Sequence, residues 1–192
     1  MNRLWTVSAT FLSVAWLLLA TGCATRRPAP DDEYQLGGKA DLAARLIELS
    51  NTVNHAEARL LADTAYNYSL DLAERYRAVR PAALQNILVN TGFRERGLCF
   101  QWADDLTAKL DSLELQTLQL HRAVARLGTP REHSAVVVTA VGQPFDDGVV
   151  LDAWRRQGLL CWNDVIYDTY KWIRVEIVTN AEPVIKGSRQ TR

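Results

Sequence analysis

Three residues of this chain are of the types that carry out covalent acyl chemistry in proteins: Cys99, His133 and Asp152. A thiolate can attack an acyl carbon, an imidazole can move the proton, and a carboxylate can hold the imidazole in the required tautomer. The three occur along the chain in the order nucleophile, base and orienting acid. Their chemistry depends on the elements that must bring them together.

Cys99 stands at the predicted start of an amphipathic helix. The loop at residues 94–97 ends in Gly97, which lets the chain enter the helix sharply. Unpaired N–H groups and the helix dipole in a first turn favour a thiolate. The apolar face of this helix consists of Cys99, Trp102, Ala103, Leu106 and Leu110. Two other interpretations remain open: a buried hydrophobic cysteine, or a disulfide with Cys161 in an oxidising compartment.

His133 and Asp152 lie on two predicted strands of an antiparallel hairpin. The valine-rich residues 133–141 suit a strand that is covered on both faces, and residues 149–154 return beside it. A reversal at Gly142-Gln143 places His133 opposite Asp152, whereas one at Pro144-Phe145 offsets them by about four residues. A carboxylate between bulky apolar neighbours needs a partner, and an imidazole N–H is one.

The same two residues also have simpler interpretations. His133 alone could be a solvated histidine at a strand end, and Asp152 alone could be a turn-capping acid. Of the three histidines, His133 is still the best candidate base. His55 lies on a helix predicted to serve packing, and His121 lies on a predicted edge strand.

Acyl chemistry also needs hydrogen-bond donors for the oxyanion. The backbone N–H of Cys99 is the expected first donor, and the candidates for the second are Gln101, Trp102 and Asn90. No metal or cofactor is expected. His55 and Glu57 share a predicted first helical turn, but no second histidine or cysteine lies at ligand spacing from them.

The N-terminus resembles that of a bacterial lipoprotein. An apolar stretch at residues 4–19 leads into Leu19-Ala20-Thr21-Gly22-Cys23, which resembles a lipobox. The resemblance implies a signal peptide over residues 1–22 and acyl chains, palmitate among them, on Cys23. Since Ala24 rather than aspartate follows, it implies the periplasmic face of the outer membrane. A membrane-spanning segment is the alternative, although the stretch is shorter than the roughly 20 residues that span a bilayer.

The rest of the chain divides into three parts. Residues 23–38 are rich in proline, glycine and charge and predict a flexible, lipidated tether. Residues 39–180 predict one domain, with a helical part at 39–92 and the cysteine helix and an antiparallel sheet at 93–180. Residues 181–192 predict a disordered tail.

Composition agrees with one globular domain, and the helical and strand patterns predict class α+β. The 192 residues are 48% hydrophobic and include 22 basic and 22 acidic residues, as in ordinary globular proteins. No run of lysine or arginine is long enough to form the positive patch that nucleic acids require. Nucleic acid is therefore not expected as a partner.

A cysteine helix followed by strands that carry histidine and then aspartate resembles the core of bacterial transglutaminase-like and papain-like cysteine enzymes. The resemblance rests on Gly97-Leu98-Cys99, Glu132-His133 and Leu151-Asp152-Ala153-Trp154. It implies that Cys99 is the nucleophile, His133 the base and Asp152 the orienting acid. The implied substrates are amide bonds of peptides, proteins or cell-wall peptides, cleaved by hydrolysis or transferred to an amine. The alternative is a non-catalytic envelope lipoprotein that uses the same fold for binding or assembly.

Overall fold

A computed structural model describes residues 32–176 as four α-helices and a five-stranded antiparallel sheet, which confirms the α+β class. The helices are α1 (Asp32–Ile47), α2 (His55–Arg75), α3 (Ala82–Asn90) and α4 (Cys99–Asp111). The strands are β1 (Leu118–Ala125), β2 (His133–Ala140), β3 (Val149–Asp152), β4 (Cys161–Asp164) and β5 (Trp172–Val175). The predicted signal peptide, Cys23 and the predicted tail lie outside the described residues.

Helix α1 begins earlier than the sequence predicted. The glycines and charges predict a flexible tether up to residue 38, but residues 32–38 are helical. The reason lies in the contact with α2. A Cβ atom at Gly38 would come within 2.3 Å of the hydroxyl oxygen of Tyr66, so glycine here lets the two helices approach instead of ending the first one. No helix within residues 32–176 is long and apolar enough to cross a lipid bilayer.

Helix α2 begins where a polar side chain caps it. The Asn54 side-chain oxygen accepts a hydrogen bond of 2.8 Å from the backbone N–H of Ala56, which satisfies one of the free donors of the first turn. Its buried face includes Leu61, Ala65, Ser69 and Leu72. This is the spacing of three and four residues that packs a helix on a core.

The sheet has the strand order β4-β3-β2-β1-β5. Strand β2 lies at its centre and is buried along its whole length, as expected of a strand covered on both faces. Strand β1 pairs with β2 on one side and with β5 on the other. The prediction that His121 lies on an edge strand is therefore wrong.

The two faces of the sheet contribute to separate hydrophobic cores. On one face Val136, Val138 and Leu151 pack with the helices. On the other face Val137 and Val150 pack with residues that include Val165 and Trp172, in the segments that follow β4. Three tryptophans lie in or against these clusters: Trp154, Trp162 and Trp172.

Candidate active site

Cys99, His133 and Asp152 come together at one end of the sheet. Cys99 is the first residue of α4, His133 the first residue of β2, and Asp152 the last residue of β3. Val136 pairs with Leu151, so continuing this register places Asp152 two residues out of line with His133, on the same face of the sheet. This register lies between the two that the sequence allowed, and a diagonal pair of this kind is within reach of long side chains.

His133 and Asp152 form a buried hydrogen-bonded pair. His133 Nε2 lies 2.6 Å from Asp152 Oδ2, and each residue is 2% exposed. Burial lowers the pKa of His133, but its interactions with Asp152 and Cys99 outweigh burial and raise that pKa to about 9. Burial raises the pKa of Asp152, but His133 and Arg155 lower it by more. The pair is therefore an imidazolium beside a carboxylate at neutral pH.

The thiol of Cys99 faces the start of β2. Its Sγ lies 3.7 Å from the backbone oxygen of Glu132, and its interaction with His133 is one of those that raise the histidine pKa. The Nδ1 atom of His133 is buried and has no partner of ordinary hydrogen-bond geometry in the described part of the chain. Since Asp152 occupies Nε2, Nδ1 is the ring nitrogen left to exchange a proton with the thiol.

The second described cysteine is separate from this chemistry. Cys99 and Cys161 are both free, so the disulfide considered from the sequence does not form. Cys161 pairs with Asp152 across β3 and β4. Burial, followed by the negative charge of Asp152, raises the pKa of the Cys161 thiol to about 11, which keeps it protonated and unreactive at neutral pH.

A second cation lies near Cys99. Burial lowers the pKa of Arg122 on β1, and electrostatic interactions with Cys99 and Glu132 raise that pKa in part. Arg122 also forms an ion pair with Asp104 on α4. Arg122 and His133 thus place two cationic side chains near the sulfur, at the first turn of α4.

The loop that delivers Cys99 is fixed by buried amide groups. Gly97 has a φ of +133°, and a Cβ there would lie 2.4 Å from Gln85 Nε2, so only glycine fits. The buried Gln85 side chain donates to the backbone oxygen of Arg96 at 3.0 Å. Gln101 Oε1 accepts from the backbone N–H groups of Gly97 and Leu98 at 2.8 and 3.0 Å. The start of α4 is thus held before any substrate arrives.

The three candidates for the second oxyanion donor have different surroundings. Trp102 Nε1 donates to the backbone oxygen of Gly97 at 3.1 Å in the interior, so its indole N–H is already used. Gln101 uses its carbonyl oxygen to cap the loop, which leaves its amide N–H groups as donors. Asn90 is the exposed last residue of α3.

Asp152 is itself held by an arginine that the sequence did not single out. Arg155 donates to Asp152 through its backbone N–H at 2.9 Å and through Nε at 3.0 Å. The two Nη atoms of Arg155 reach both oxygens of the buried Asp168 at 3.1 to 3.2 Å. These contacts form a chain of alternating charges that fixes the Asp152 carboxylate, in the order His133, Asp152, Arg155 and Asp168.

Aromatic rings enclose the imidazole. The ring centres of Trp154, Tyr170 and Trp172 lie 4.7, 4.8 and 5.4 Å from that of His133. Trp154 Nε1 donates to Asn86 on α3 at 3.2 Å, which connects this enclosure to the helical layer. Rings packed in this way hold the imidazole in one orientation and keep water from most of its surface.

Sequence reasoning did not find Arg155, Asp168, Arg122 or Gln85. The spacing of three residues between Asp152 and Arg155 was a usable signal, since a turn after a strand can fold such a side chain back. The other three come from distant parts of the chain and have no local pattern.

Comparison with known proteins does not assign this chain to a family. No family model, no curated protein and no solved structure matches this chain. Within residues 32–176, no three histidine, cysteine or carboxylate side chains cluster as ligands for a metal ion.

Proposed function

We propose that this protein is a cysteine hydrolase or acyltransferase that acts on amide bonds through Cys99, His133 and Asp152, on a transglutaminase-like or papain-like core. The observation that carries the proposal is the buried pair of His133 and Asp152, which leaves His133 Nδ1 without a partner beside a thiol at a helix start. A structural histidine in a core normally has both ring nitrogens satisfied.

In the first step the Cys99 thiolate attacks the carbonyl carbon of the amide, and the C=O electron pair moves to the oxygen. The backbone N–H of Cys99 stabilises this oxyanion, because the first N–H groups of a helix have no intrahelical acceptor. The imidazolium of His133 gives its Nδ1 proton to the nitrogen as the C–N bond breaks. An amine leaves, and the acyl group remains on Cys99 as a thioester.

In the second step water or another amine attacks the thioester carbon. His133 Nδ1 takes the proton of the attacking group, and the collapse of the second intermediate expels the Cys99 thiolate. Attack by water gives hydrolysis, and attack by an amine gives transfer. Asp152, held by Arg155, keeps the proton on Nε2 throughout, so that Nδ1 remains the atom that exchanges protons.

The proposed location follows from the N-terminal sequence. Cleavage before Cys23 and acylation of its thiol anchor the protein by lipid to a bacterial envelope membrane, with the periplasmic face of the outer membrane as the proposed side. Peptides and the peptide part of the cell wall are the amide substrates present in that compartment. We therefore propose these as the substrate class.

The first test measures thiol reactivity. The full-length protein is treated with iodoacetamide at pH 7, and each cysteine is followed by peptide mass spectrometry. We expect Cys99 to be alkylated well before Cys161. His133→Ala should lower the alkylation rate of Cys99 on the order of tenfold or more, because an imidazolium next to the sulfur is lost. His55→Ala, which removes an exposed histidine on α2, is the matched control and leaves the rate unchanged.

The second test asks for the covalent intermediate. The protein is mixed with a peptide ester, quenched in acid, and examined for an acyl group on the peptide that contains Cys99. We expect acylation and release of acid in the wild type and in Cys161→Ser, and none in Cys99→Ser. A Cys99 that reacts no faster than Cys161 and forms no thioester contradicts the proposal and favours a non-catalytic envelope lipoprotein.

A further inference from the structure

Helix α3 has the reverse of the usual amphipathic arrangement. Its one fully buried side chain is the polar Gln85, whereas Leu84 and Ile87 are 41% and 58% exposed. The helix contains no charged residue. A surface helix normally turns its apolar residues inward and its polar ones outward, so α3 presents an apolar face to its surroundings.

The surroundings of this face are basic. Phe93, just beyond the helix, is 74% exposed. Residues 77–96 include four arginines and one glutamate. Of these arginines only Arg96 has an ion-pair partner within residues 32–176, namely Asp105. An exposed apolar face between unpaired arginines suits a surface that is apolar inside and anionic at its boundary.

A groove of about 520 Å³ opens at the N-terminal end of α3. Three arginines contribute to its lining, which consists of Arg80, Pro81, Ala82, Arg155, Arg156 and Leu159. Arg155 is already bound to two carboxylates, which leaves Arg80 and Arg156 as the cations free to meet an anion. No acidic side chain lines the groove, so its charge suits a phosphate group.

The chain enters the domain at the same end of the helical layer. Lys39 in the middle of α1 bonds to Asn67 on α2 at 2.7 Å. A short loop joins the two helices, so they run antiparallel and the start of α1 points toward the C-terminal end of α2. Tyr76 follows that end, and its backbone oxygen accepts from Gln85 on α3. Asp32 is nine positions after Cys23, and a chain of that length spans at most about 30 Å. A lipid on Cys23 would hold α3 within reach of the bilayer surface.

We propose that the exposed face of α3, with Phe93 and the neighbouring arginines, lies on the surface of a bilayer that contains anionic phospholipid. Leu84, Ile87 and Phe93 enter the boundary between headgroups and acyl chains, and Arg80 and Arg156 bind phosphate groups. The inference rests on the proposed lipid anchor for proximity, and it is independent of the proposed catalysis. It places the helix that contacts Trp154, and through it the catalytic histidine, against the membrane.

Hydrogen–deuterium exchange tests this arrangement. The full-length, processed protein is bound to vesicles of phosphatidylethanolamine with phosphatidylglycerol, and to vesicles of phosphatidylcholine as a reference. We expect backbone amides of residues 82–96 to exchange on the order of tenfold more slowly on the anionic vesicles. The double substitution Ile87→Ser with Phe93→Ser abolishes this difference. The matched control, Ile166→Ser with Tyr167→Ser at another exposed apolar site, retains it.

The anchor and the docking face have separate readouts. The mass of the peptide that contains Cys23 and flotation of the protein with vesicles report the anchor, whereas exchange at residues 82–96 reports the face. Equal exchange on both kinds of vesicle overturns the inference, whatever the state of Cys23. Slower exchange that appears without vesicles and grows with protein concentration also overturns it, because the occupant is then a second copy of the chain.

Discussion

Raising the pH from 6 to 10 is expected to destabilise the folded protein through His133. The pKa of a histidine is about 6.5 in the unfolded chain and about 9 for His133 in the fold. The folded state therefore binds a proton that the unfolded state has released. This contribution to stability is complete below about pH 6.5 and is lost as the pH rises through 9.

The size of the effect follows from the two pKa values. The difference between 6.5 and about 9, at about 1.36 kcal/mol for each pH unit, amounts to about 3 kcal/mol. In Asp152→Asn the carboxylate that raises the pKa of His133 is gone, and burial then favours the neutral ring. The free energy of unfolding of the wild type should therefore fall by about 3 kcal/mol more than that of the variant over this range.

Urea unfolding at intervals of one pH unit measures this difference. Both proteins carry Cys161→Ser, because the pKa of that thiol also depends on Asp152. Other groups that titrate in the range, His121 among them, then cancel in the comparison. NMR titration of the His133 ring in the wild type gives the same quantity without a variant. Parallel stability curves for the two proteins, together with a His133 pKa at or below 6.5, would refute the reasoning.

Two further predictions concern the loop and the charge around the thiol. Gly97→Ala should lower the free energy of unfolding by about 2 kcal/mol more than Gly128→Ala. Both glycines have positive φ, but only at Gly97 would an added Cβ also clash with Gln85. Urea unfolding of both variants checks this, and equal losses contradict it. Arg122→Gln should slow alkylation of Cys99 by iodoacetamide at pH 7 by about threefold to tenfold, because a partly buried cation near the sulfur is lost; an unchanged rate means that Arg122 serves only its ion pair.

Local pattern was enough to predict the elements that carry the candidate site. The helix start at Cys99, the strand at His133 and the strand that contains Asp152 each follow from spacing, turn residues and valine content over a few neighbouring positions. The last strand ends at Asp152, two residues earlier than the predicted range of 149–154. These elements agree with the structure because short-range preference and burial favour the same conformation.

Contacts between distant segments were not predictable in the same way. The early start of α1 depends on how closely Gly38 approaches Tyr66. The interior position of β1 depends on β5, which returns to it after the rest of the sheet is complete. The outer part of the clamp on Asp152 depends on Asp168, which lies 13 residues beyond Arg155 and holds its guanidinium. In each case the deciding partner lies too far along the chain for a local pattern to report it.

The aromatic enclosure of His133 has an optical consequence. Trp154 and Trp172 lie with their ring centres 4.7 and 5.4 Å from the imidazole, and a protonated imidazole in contact with an indole quenches its emission more strongly than a neutral one does. The intrinsic fluorescence of the untreated protein therefore reports whether His133 holds its second proton. The tryptophan fluorescence intensity should increase as the pH rises through about 9. Any molecule that takes the second proton of His133 in the cleft should increase this intensity at neutral pH.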